Sequence, residues 1–149
     1  MADVAFYHLM RMPLEQALPK LLGRVLATGG RALVLCGSEE RVAALDTALW
    51  VCPDPDWLPH GTKSSGHPTM QPIWLTTEDA PAANGARFLV LVDGAESSRL
   101  AEYDRVLDLF DGQDPEAVAA ARRRWSAAKA AGHALSYWQQ GDRGWEKKA

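Results

Sequence analysis

Two cysteines, Cys36 and Cys52, in 149 residues supply neither a disulfide framework nor a zinc-ligand spacing. The four histidines, His8, His60, His67 and His133, share no metal-ligand spacing with one another or with the cysteines, so no metal and no cofactor is expected. There is no Gly-x-Ser-x-Gly nucleophile turn and no Walker lysine. The cleanest apolar run, Phe88-Leu89-Val90-Leu91-Val92, is far shorter than the roughly 20 residues a bilayer span needs. No basic region followed by an apolar run opens the chain, so no signal peptide is expected and the expected location is the cytoplasm. Sixteen basic against nineteen acidic side chains give a formal net charge of −3, which argues against a general grip on nucleic-acid phosphates. Catalysis has no positive signature, and the chain is expected not to be an enzyme.

What is present is the composition of a globular protein: 47% apolar and 23% charged residues suffice for one core in one domain over residues 1–149. Val4 to Leu9 reads as a first strand. Pro13 opens a helix whose Leu14, Ala17, Leu18, Leu21, Leu22 and Val25 recur at helical spacing until Gly29-Gly30. Arg31 to Cys36 is nearly continuous apolar, as for a strand covered on both faces, and leaves Cys36 as a buried reduced thiol. Ser38 then caps a helix running to about Trp50. Residues 61–69 are polar and rich in turn formers. Strands are expected at 72–77, 88–92 and 105–110, with a short helix or turn at 97–103. Asp114-Pro115 starts a long helix lasting to Ala131-Gly132. A final strand at 134–138 and a polar tail over 141–149 complete the chain. Alternating strands and helices imply an α/β fold with a mainly parallel central sheet flanked by helices.

Three stretches could carry function. The Cys36-Gly37-Ser38 turn feeds a helix N-terminus, where doubly wound folds hold phosphates, but Glu39-Glu40 in the first turn would repel them. Trp50 and Trp57 bracket a loop stiffened by Pro53, Pro55 and Pro59. Those indoles read either as plugs at the edge of the core or as anchors for a partner protein. In the late helix, Val118, Arg122, Trp125 and Lys129 fall on one stripe, with Arg122-Arg123-Arg124 beside the indole. That run reads as a solvated face or as a seat for a carboxylate next to an aromatic side chain, since guanidinium pairs carboxylates and stacks on rings. Lys147 and Lys148 would join the same field if the tail folds back.

Taken in order, Phe6-Tyr7-His8-Leu9, Gly30 to Leu35, Leu45-Asp46-Thr47-Ala48-Leu49-Trp50, Trp57-Leu58-Pro59-His60-Gly61, Arg105-Val106-Leu107-Asp108, Ala130-Ala131-Gly132-His133 and Tyr137-Trp138 carry a full-length resemblance. The chain resembles the chi subunit of the bacterial DNA polymerase III holoenzyme. The resemblance implies a Rossmann-like three-layer sandwich that binds no nucleotide and works as a non-catalytic adaptor. It also implies two protein partners and only indirect contact with DNA. One is the psi subunit of the clamp loader, met by Trp50, Trp57, Leu58, Pro59 and His60. The other is the acidic C-terminal tail of single-stranded DNA-binding protein (SSB), met by Val118, Arg122, Trp125, Ser126 and Lys129. Where some relatives place a basic residue directly after the aromatic, this chain has Ser126. Two alternatives remain: an adaptor whose loop serves a helicase-like repair protein, and a small nucleotide-dependent hydrolase of similar fold.

Overall fold

The computed structural model describes residues 2–51, 58–142 and 144–149. Its eight strands are β1 (Asp3–Leu9), β2 (Ala32–Leu35), β3 (Gly61–Thr62), β4 (Ile73–Thr76), β5 (Phe88–Val92), β6 (Arg105–Asp111), β7 (Ala134–Gly141) and β8 (Gly144–Lys147). They form one sheet in the order β3-β4-β2-β5-β6-β1-β7-β8. Every neighbouring pair is parallel except the β7–β8 hairpin. Helices α1 (Leu14–Ala27) and α2 (Glu39–Val51) pack on one face and α3 (Pro115–Ala130) on the other, which is the mixed α/β, Rossmann-like arrangement expected.

Alternation along β1 sorts its side chains between two cores. Ala5, Tyr7 and Leu9 join α1 and α2, while Val4 and Phe6 point toward α3. The apolar stripe of α1 is buried from Leu14 to Val25, and α2 buries Val42, Leu45 and Leu49. Each fully buried leucine contributes about 1.5–3 kcal/mol relative to exposure, so these two helices hold the better-sealed layer. The Ser38 hydroxyl accepts the Arg41 amide at 3.1 Å, confirming the cap of α2. In α3 the Asp114 carboxylate accepts the Glu116 amide at 3.0 Å, and only Ala121 and Ala128 are buried. Methyl side chains at those two positions let the helix lie close to the sheet. Its larger groups are left along the flanks.

Two differences from the sequence reading have physical causes. Gly61–Thr62, within a stretch read as turns, forms the two-residue edge strand β3 beside β4. A Cβ on Gly61 would stand 2.7 Å from the Gln71 side chain, which would have to move aside to admit it. Residues 141–149, read as a polar tail, instead include β8. The chain turns back with Gly144 at φ +112°, and Trp145 packs edge-on against Tyr7 at 4.9 Å. Within the expected strand at 105–110, Asp108 lies in the middle of β6, buried at 2% exposure.

Candidate functional site

Asp108 explains how α3 is seated. Arg124 Nε and Nη2 donate to its two carboxylate oxygens at 2.7 and 3.0 Å, and both side chains are buried. Burial pushes the Asp108 carboxyl above its usual range, and the guanidinium works against that shift. The three arginines read as one cationic run are therefore not equivalent. Arg124 is an internal strut, whereas Arg122 and Arg123 are exposed and, among the described residues, have no ion-pair partner.

Fixing Arg124 underneath sets the rotation of α3 and brings Val118, Arg122, Trp125 and Ser126 around one cavity of about 510 Å³. Its floor comes from strands: Phe6 of β1, Phe110 of β6 and Tyr137 of β7. The Trp125 ring lies 5.4 Å from Phe6, tilted by 59°, and 6.1 Å from Tyr137, nearly edge-on at 73°. The Tyr137 hydroxyl hydrogen-bonds His8 Nδ1, which fixes the phenol. Burial raises the Tyr137 phenol while Arg122 opposes the shift, so the ring is neutral at physiological pH and lies within reach of the Arg122 charge. Ala149 closes one side: the Tyr137 amide donates to the Ala149 carbonyl (3.3 Å), and the Tyr137 carbonyl accepts from the Lys148 amide (2.7 Å). Lys129 is exposed and lies outside the cavity lining. Together these groups offer an apolar, aromatic slot under a free guanidinium, with no Asp or Glu side chain in the lining. An apolar side chain next to a carboxylate fits that chemistry.

The crevice at the carboxyl ends of β1, β5 and β6 is built differently. Arg41 reaches across it, donating from Nη1 to Glu15 and from Nε to Asp93, each at 2.5 Å. Burial alone would raise the Glu15 carboxyl, but its backbone hydrogen bond and Arg41 together hold it below the usual range. Glu39, in the first turn of α2, accepts a hydrogen bond from the Thr77 hydroxyl at 2.8 Å. A nucleotide entering here would have to displace an ion network that is already satisfied. Nearby, burial pushes the Cys36 thiol up to about 12, as befits a small apolar filler.

At the far end of α2 the indole of Trp50 is 63% exposed, next to Val51 at 72%. Its ring lies 4.7 Å from that of His60. Two residues expected on this interface are instead part of the interior. Leu58 is 2% exposed and His60 6%. The His60 ring is tied down, with Nδ1 donating to the Leu58 carbonyl at 2.7 Å and Nε2 lying 3.0 Å from Asp46 Oδ1. They support the corner and do not present side chains from it. Pro59 is half-buried, and Trp57 lies outside the described residues.

A model of the family described as DNA polymerase III chi subunit, HolC, matches residues 1–136. The chain belongs to that family. It is also 22% identical over 110 residues to the "Probable DNA polymerase III subunit chi" of Rickettsia prowazekii (strain Madrid E), covering 74% of this chain and 66% of that protein, a little under two thirds of its length. The family's description is that of a subunit of DNA polymerase III. The matched span ends at Ser136, so Tyr137, Trp138, β8 and Ala149 lie beyond it. Among the described residues no helix is long and apolar enough to cross a membrane.

The floor residues Phe6, Phe110, Tyr137 and the strut Asp108 were not expected in the site. Phe6 and Tyr137 carried a signal in their strand alternation. That Ala149 would reach the same cavity depended on a hairpin at glycines and could not be read from the pattern.

Proposed function

We propose that this chi-family chain is a non-catalytic adaptor that captures the acidic C-terminal tail of SSB and links it to the clamp loader through psi. The observation that carries this reading is the free Arg122 guanidinium above the aromatic slot of Trp125, Phe6 and Tyr137. The terminal Phe of the tail enters the slot, its carboxylate pairs with Arg122, and the upstream aspartates run past Arg123 and Lys129. Psi docks on the exposed Trp50–Val51 corner, with Trp57 and Pro59 beside it. Two modest contacts joined by one rigid sheet raise effective concentration, so neither has to be tight. The Arg41 network disfavours the hydrolase alternative, because the crevice such an enzyme would use is occupied by the chain's own side chains.

Titration with a peptide copying the SSB C-terminus tests this reading. The expected Kd is on the order of micromolar, about −8 kcal/mol. Deleting the terminal Phe should abolish binding, and Arg122→Ala should weaken it by about 1–3 kcal/mol. An unchanged Kd for Arg122→Ala would sink the site.

A further inference from the structure

Behind the α3 slot, on the opposite face of the sheet, lies a second groove of about 250 Å³ with related chemistry and no role in the adaptor reading. The last turn of α1 forms one wall, and Trp138 of β7 and Trp145 of β8 form the other. Tyr7 is its floor, stacked against Trp138 (6.3 Å, 14°) and edge-on to Trp145. Two guanidinium groups, Arg24 of α1 and Arg105 of β6, open onto it, and no carboxylate lines it. Neither arginine has an ion-pair partner among the described residues. Arg24 has a local reason to be cationic, because it ends a helix. Arg105 does not. It sits at the start of a strand; its guanidinium is hydrogen-bonded to the Tyr7 hydroxyl, while its Nε is buried without a hydrogen-bond partner. Asp3, its register neighbour across β1–β6, is exposed and forms no ion pair with it.

A buried donor left unsatisfied costs free energy, and it recovers that cost when an acceptor arrives. Two guanidinium groups suit a doubly charged anion better than a single carboxylate. Partly buried indole rings at the wall suit a flat ring system, and the cavity accommodates one such unit and not a folded partner. We propose that this groove binds one nucleotide unit, its base against Trp145 and Trp138 and its phosphate between Arg24 and Arg105. The unit is either free or one residue of a single strand held at the sheet edge. This is compatible with the acidic net charge, because the site is local and needs only two cations.

The test follows the indole N–H resonances of Trp138 and Trp145 in the full-length chain, titrated with dTMP and with a short oligothymidylate. Saturable movement of these two signals is expected. Tighter binding of the oligomer identifies a strand, and equal binding identifies a free nucleotide. Arg24→Gln, at an exposed position, should weaken binding roughly tenfold. Arg105→Gln should do the same, and Arg122→Ala should leave it unchanged. No movement with either probe overturns the proposal, as does binding that survives Arg24→Gln. Loss of binding in Arg122→Ala would assign the ligand to the α3 slot and also overturn it. Preference for acetyl-Asp-Phe over dTMP would replace the nucleotide with a peptide carboxylate and overturn the ligand class.

Discussion

Arg41 and Arg122 both project from helices beside a groove, yet one closes its groove and the other leaves it open. Arg41 is held by Glu15 and Asp93, so the crevice at the strand ends is electrically complete. Arg122 has aromatic rings beneath it and no Asp or Glu side chain in its cavity, so its charge is available to a ligand. What separates them is the presence of an internal counter-charge, because a paired guanidinium gains little from a new anion. The same criterion divides the Arg122-Arg123-Arg124 run, in which only Arg124 is taken up internally.

The largest effect should come from the strut. Asp108→Ala leaves Arg124 buried without a counter-charge and should lower stability by about 3 kcal/mol, read from urea unfolding. A shift well under 1 kcal/mol would mean that packing of Ala121 and Ala128, and not the ion pair, seats α3. Arg122→Ala should leave the unfolding midpoint within about 0.5 kcal/mol of the parent, in contrast to its loss of peptide affinity. Arg41→Ala should do the reverse, costing about 1 kcal/mol of stability with peptide affinity unchanged. If both arginine variants lost peptide binding, the distinction between closed and open grooves would fail.

Acid sharpens the comparison further. The folded-state Glu15 carboxyl lies below its ordinary value of 4.5, so its stabilising contribution is present above that value and is lost as pH falls through the folded one. The parent should therefore lose more stability than Glu15→Gln between about pH 5 and pH 3 in denaturant titrations. The smallest effect is expected from Ser126→Arg at the rim of the α3 cavity. It should tighten the acidic peptide by about 0.2–1 kcal/mol at low salt, with the gain fading as salt is added.

Much of the site was legible because helical spacing is a local property. Val118, Arg122, Trp125 and Ser126 share a face whatever the helix packs on, and they do line one cavity. Lys129 belongs to the same stripe but is exposed and falls outside the cavity lining. Of the residues expected to meet psi, two are interior. An apolar Leu58 and a ring at His60 have the composition of an interface, but burial against Asp46 and the chain's own carbonyl turned them inward.

Chain-local information determined six of the eight strands, the three helices, and which arginines and indoles share a helical face. These follow from periodicities of 2 and 3.6 residues and from which backbone groups each side chain can satisfy. Which guanidinium is free was decided only in three dimensions. It depended on Asp108 lying under Arg124, on Glu15 and Asp93 converging on Arg41, and on a glycine turn returning residues 144–149 to the sheet. Counter-charges separated by 16 to 52 residues have no local signature, because they meet only when the sheet order brings their strands together.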